Sequence, residues 1–159
     1  KREKMLKKVK KWLGIEGVRI EVEIPEEIFL REGKVSGSLV VESRQDNTIS
    51  EMRMALIEKY SRGRGRNKLI DEYVLGHITI AGPVGIGAGI PEVVPFDLPF
   101  SPLLSKMDLW VSSNFLMKGL VSSEKFFRNV SSEYRLEIEA DVPGMAVSPL
   151  VKKEIRILG

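Results

Sequence analysis

From Val18 onward the apolar side chains fall on every second residue. Val18, Ile20, Val22 and Ile24 alternate with Arg19, Glu21 and Glu23, and Pro25 ends the run. Successive side chains of a strand point to opposite faces, so a period of two describes half-buried strands, whereas a helix would repeat its apolar positions at three and four. The pattern recurs. A turn at Glu32 and Gly33 precedes Val35, Gly37, Leu39 and Val41 on one face. The long run "TISEMRMALIEKYS" places Ile49, Met52, Met54, Leu56 and Tyr60 inward, provided that a bulge near Ser50 or Glu51 shifts the parity. "LIDEYVLGHITI", "VVPFDLPF", "YRLEIEAD" and "KKEIRIL" complete the set, each bounded by glycine or proline. Many short strands separated by turn signals make an all-β, immunoglobulin-like antiparallel sandwich. At 159 residues one such domain buries roughly 70% of the surface its unfolded chain exposes. Ser101–Glu133 departs from the pattern. It reads either as a short helix from Asn114 or as two short strands turning at Gly119, with extended structure the better fit.

The charge is unevenly placed. "KREKMLKKVKKWLG" carries seven cations against Glu3, a net of +6, while the whole chain is +3, so the body after Gly14 is slightly acidic. A high isoelectric point therefore gives no reason to expect nucleic acid on the body. Met5, Leu6, Val9, Trp12 and Leu13 recur as one helical face, among Lys4, Lys7, Lys8 and Lys11. We read residues 1–14 as a short basic amphipathic helix and 15–159 as a single sandwich domain. At 1.5 Å per residue the helix is about 20 Å long, too short to span a bilayer but suited to an anionic surface with Trp12 at the interface. Docking on its own sheet, a frayed basic tail, and docking on a membrane or partner all remain open. The chain has no cysteine, which removes disulfides and thiolate chemistry and fits a reducing compartment. With no secretory pattern at the start, the expectation is a cytoplasmic protein, peripheral to the membrane if the helix docks there. Tyr73–Pro91 is free of formal charge, but its five glycines and two prolines would break a spanning helix repeatedly.

Catalytic chemistry finds little to use. His77 is the one histidine, in a strand pattern on the parity of Leu75 and Thr79. Ser122 and Lys125 have the S-x-x-K spacing without its companion motifs. Glu137, Glu139 and Asp141 alternate on one strand, as do Glu21 and Glu23; a calcium ion between strands would need such carboxylates, but so would a wet face neutralised by Arg19, Arg135 and lysines. Gly85, Gly87 and Gly89 lack the spacing and the following helix of a dinucleotide site. We read Gly82–Gly89 as a crossover loop, with Pro91, Pro95 and Pro99 marking the entry and end of the next strand. No metal, cofactor or catalytic residue is expected. "RGRGRNK" is a hairpin tip bearing Arg62, Arg64, Arg66 and Lys68. It is either a solubilised turn or a contact for a partner or an anion such as RNA or a lipid headgroup.

Three stretches together resemble the arrestin-like fold. "EEIFLREGKVSGSLVVES" is similar to the early strands of that fold. "GIPEVVPFDLPFSPLLS" resembles its proline-bounded strand, and "YRLEIEADVPGMAVSPLVKKEIRI" its final pair. With "WLGIEGVRI" at the start, the chain looks most like the prokaryotic sporulation-control branch, across most of Ile15–Leu158 and about one arrestin lobe. It departs from the pattern at Glu32–Gly33, where the family often has Pro-Gly, at Ser148–Pro149 in place of Asp-Pro, and in a longer Met107–Asn129. The two-lobed polar core of visual arrestins has no counterpart to carry over. The resemblance implies a non-enzymatic adaptor or scaffold in signalling, trafficking or envelope-associated processes. Its expected partners are proteins, with peripheral contact to anionic membrane and self-association through sheet edges as further possibilities.

Overall fold

The computed structural model describes residues 17–101 and 130–159. Eight strands follow in order: β1 (Val18–Glu23), β2 (Glu27–Phe29), β3 (Lys34–Ser43), β4 (Asn47–Arg62), β5 (Leu69–Ile86), β6 (Glu92–Pro99), β7 (Val130–Asp141) and β8 (Leu150–Leu158). They form two sheets, β1-β3-β6 and β2-β8-β7-β4-β5. All pairs are antiparallel except β2 with β8, where Glu27–Phe29 runs parallel to Arg156–Leu158.

The alternation read from sequence is the core. Val18, Ile20 and Val22 of β1 and Val35, Leu39 and Val41 of β3 face Met52, Met54 and Leu56 of β4 and Leu136, Ile138 and Ala140 of β7, all buried. Each of the larger side chains among them stabilises the fold by about 1.5–3 kcal/mol when fully buried. Sheet-on-sheet packing accounts for the sandwich.

The bulge expected near Ser50 is present. Between Ile49 and Glu51 the β4 register advances two residues while β5 gives up three, from Val84 to Ala81. Gly82 occupies this step because a Cβ there would come within 2.5 Å of the carbonyl oxygens of Ile49 and Ser50. A second shift was not legible. Leu56 pairs Gly76 but Ile57 pairs Val74, which leaves Leu75 as an extra residue in β5. Leu75 is thereby buried while His77 and Thr79 are exposed, so the shared parity expected for these three residues is broken by the bulge. Tyr60 reaches only half-burial, since it pairs Asp71 and Ser132 near the hairpin tip.

The glycine stretch is shorter as a loop than expected. Gly82–Ile86 belongs to β5, and only 87–91 crosses to the other sheet, entering β6 after Pro91. That crossing is tied down: Gly89 N–H donates to the Ser43 carbonyl at 2.8 Å and Ala88 N–H to Asp46 Oδ1 at 2.8 Å. Pro95 lies inside β6, an edge strand, where a missing N–H donor is tolerated. The Tyr73–Pro91 run is therefore strand and crossover. Among the described residues no helix is long and apolar enough to cross a membrane.

The expected helix over 1–14, with Lys4, Lys7, Lys8, Lys11 and Trp12, lies outside the described residues. So do Ser122, Lys125 and most of Ser101–Glu133; from Val130 that segment is β7.

Candidate functional site

The outer face of the five-stranded sheet gathers the ionisable side chains. Arg135 on β7 pairs Ile57 in register, and its guanidinium crosses β4 to meet Glu72 of β5 through two bonds of 2.8 and 2.9 Å. Its Nε donates to Glu137 Oε1 at 2.8 Å, and Lys152 of β8 meets the same carboxylate at 3.0 Å. Lys152, Glu137, Arg135 and Glu72 thus form a chain of ion pairs across the sheet. Ile57, which alternates outward next to the inward Leu56, is only 9% exposed beneath it, as expected where a long cationic side chain lies over apolar surface. Arg53 bridges Glu51 at 2.8 Å and Glu139 at 3.4 Å, and Lys59 meets Glu133 at 2.9 Å. Of the carboxylates weighed as calcium ligands, Glu137 and Glu139 are engaged in this way, and Asp141 accepts from the Ser50 hydroxyl at 3.0 Å. On the other sheet Arg19 takes Glu21 at 3.0 Å and Glu42 at 3.6 Å. No group of three or more potential metal ligands occurs among the described residues.

These pairs set the acid response. The Arg135 hydrogen bond holds the Glu72 carboxyl below its ordinary range, Lys59 does so for Glu133, and the Ser36 hydroxyl followed by Lys34 for Asp97. Partial burial pushes Glu137 up, but Arg135 and Lys152 outweigh it and the net direction is down. Arg135 itself is raised by Glu72 and then Glu137. A carboxylate whose folded pKa is depressed adds stability that is present above its unfolded pKa and is lost as pH falls through the folded value. The contribution of these pairs should therefore be level from pH 7 down to about 5 and decline as pH falls through the ordinary Glu value of about 4.3 and below. Arg135→Gln should lower the urea midpoint at neutral pH, with the difference from wild type shrinking toward zero in acid. Urea titrations at neutral pH and below about pH 4 check this; a difference independent of pH would mean that Arg135 acts by packing alone.

His77 stands on β5 directly opposite Ala55, which in turn faces Glu137 on β7. With Arg53, Thr79, Glu139 and Leu150 they rim a shallow depression whose floor is the small Ala55 side chain. Of its charged members, Arg53 pairs with Glu139 and Glu137 with Arg135 and Lys152, so it is a gap in the ladder.

The hairpin tip is as expected. β4 ends at Arg62, a single 3-10 turn spans Gly65–Asn67, and β5 begins at Leu69. Gly63 and Gly65 have φ of 90° and 59°, the left-handed region where glycine is favoured. Arg62, Arg64, Arg66 and Lys68 are all exposed there, and Arg62 reaches Asp71 at 4.0 Å. Sequence reasoning missed the apolar residues beside them. Leu69, Ile70 and Val74, exposed by 55%, 52% and 58%, continue the tip along the outer edge of β5. Their apolar character is visible in the sequence, but their exposure is not, because which strand is at the edge is a property of topology.

Two sheets in the orders β1-β3-β6 and β2-β8-β7-β4-β5 make this an arrestin-like β-sandwich. Residues 6–122 match the family model described as SpoOM protein, and the chain belongs to that family. Among solved structures it is similar to the crystal structure of Spo0M, sporulation control protein, from Bacillus subtilis, at 14% identity and a TM-score of 0.61. That match covers 91% of this chain and 51% of the Bacillus chain, so the present chain spans about half its length. No curated protein matches the sequence.

Proposed function

We propose that this chain is a non-enzymatic, regulatory interaction module that holds a protein partner at the β4–β5 end of its five-stranded sheet. The observation that carries the reading is the juxtaposition there of a tip with four cations and no carboxylate from Ser61 to Ile70 with three exposed large apolar side chains. Apolar side chains flanked by fixed charge suit a protein surface, in which burial supplies affinity and charge supplies orientation. The Bacillus relative is a sporulation control protein, which supports a regulatory role in place of a metabolic one. The exposure of Arg62, Arg64, Arg66 and Lys68 also supports a second reading, anion contact with RNA or acidic lipid, which would use the cations without the apolar residues.

The experiment is affinity capture from native cell extract with the wild-type chain and with Arg64→Ser/Arg66→Ser/Lys68→Ser. A partner held by the tip should fall by about tenfold in the triple variant, corresponding to three surface ion pairs of about 0.5 kcal/mol each. An undiminished partner would contradict the site. Acidic vesicles or RNA bound equally well by Ile70→Lys/Val74→Lys would favour the anion reading.

A further inference from the structure

Edge strands are the places where a sheet can accept another chain. Several edges of this sandwich are short or interrupted. β2 has three residues, and β6 carries Pro95 and Pro99 just after Pro91, which donate no N–H. On β1, the Val22 carbonyl already accepts Lys153 Nζ at 2.6 Å. β5 is the long edge, with a partner on one side only among the described strands. It too is interrupted: Pro83 lacks a donor, the Leu75 carbonyl accepts Ser101 N–H at 3.0 Å, and Gly76 lies against Pro99 and Phe100. One open stretch adjoins the tip, Leu69–Val74.

The register divides its side chains. Ile70, Glu72 and Val74 lie on the outer face, opposite Ser61, Lys59 and Ile57, while Leu69, Asp71 and Tyr73 lie on the other. Both carboxylates in the stretch are occupied, Asp71 by Arg62 and Glu72 by Arg135. The stretch offers a partner apolar contact on both faces beside a cationic tip.

We infer that Leu69–Val74 accepts an extended partner segment by strand addition, and that this segment alternates apolar residues and ends in carboxylates lying against Arg64, Arg66 and Lys68. Backbone pairing along the edge supplies affinity and the side-chain pattern supplies specificity. The inference rests on the interaction reading above and names the chemistry of its partner.

The probe is a fluorescein-labelled peptide of alternating valine and threonine ending in three glutamates, with a twin ending in three lysines, titrated into the full chain by anisotropy. The glutamate peptide should bind about tenfold or more tighter than the lysine peptide at low salt, and the gap should narrow as salt rises. Ile70→Lys/Val74→Lys, at exposed positions that leave the core intact, should abolish binding. Val93→Lys, at an exposed apolar residue of β6, should leave it unchanged. Equal binding of the twins, binding that survives the double lysine variant, or no binding at millimolar peptide each overturns the inference. So does slow hydrogen exchange at the outward amides of Leu69–Val74 in the chain alone, which would mean that the edge is filled by this chain or by a second copy. A natural partner retained undiminished by Ile70→Lys/Val74→Lys but lost with the tip variant would overturn the edge while leaving the interaction module standing.

Discussion

Gly76→Val is expected to be the most damaging single substitution in β5, lowering stability by about 3 kcal/mol or more. The position sits where the end of β6 closes against the five-stranded sheet. A Cβ would enter the Pro99 carbonyl oxygen and stand 3.1 Å from Phe100 Cα. Neither is the far end of a flexible side chain, so relief requires the backbone to move. Moving it withdraws Phe100, 6% exposed, from the core and breaks the Ser101 N–H bond to Leu75. The matched control is Gly85→Ala in the same strand, where nothing lies within 4 Å and φ is not left-handed. There the loss of unfolded-state freedom favours alanine by about 0.4–1 kcal/mol. Urea unfolding followed by circular dichroism compares the two; equal midpoints would mean that β6 does not end against Gly76.

Leu136→Ala carries the second large effect. Leu136 is 0% exposed at the centre of β7, with Leu56 of β4 on one side and Lys153 of β8 on the other. Its removal leaves a cavity between two sheets that cannot collapse without shifting paired strands, at a cost of about 2–5 kcal/mol. Against a typical total of about 5–15 kcal/mol, that is a large share. Leu150→Ala, 48% exposed on the neighbouring strand, should stay within about 0.5 kcal/mol of wild type. The same denaturation measurement separates them, and similar losses at both sites would contradict the assignment of faces.

The strands were legible because burial on one face of a sheet imposes a period of two on the sequence itself. Val18, Ile20 and Val22 lie inward as read, and the parity change in β4 could be located because Ile49 and Met52 cannot otherwise share a face. The Leu75 bulge left no such trace, since Leu75 continues the alternation of its neighbours and only the pairing with β4 shows the extra residue. The glycines of Gly82–Ile86 suggested a loop. They are strand residues, and at Gly82 the reason is a close approach to the β4 backbone that no local pattern records. The tip cations could be found from "RGRGRNK" alone. Their apolar continuation in Leu69, Ile70 and Val74 takes on meaning only once the order of strands places β5 at an edge. Likewise, the carboxylates on β7 were read as a wet face, but the bidentate reach of Arg135 across β4 to Glu72 depends on register.

The most direct measurement of the interaction reading is a hydrogen-exchange map of the full chain with and without its captured protein partner. The expected result is slowed exchange confined to the Arg62–Lys68 tip and the Leu69–Val74 edge, with the core strands β3 and β7 unchanged. Slowing centred on the depression around Ala55, or on the β1 and β6 edges with the tip unaffected, would contradict it.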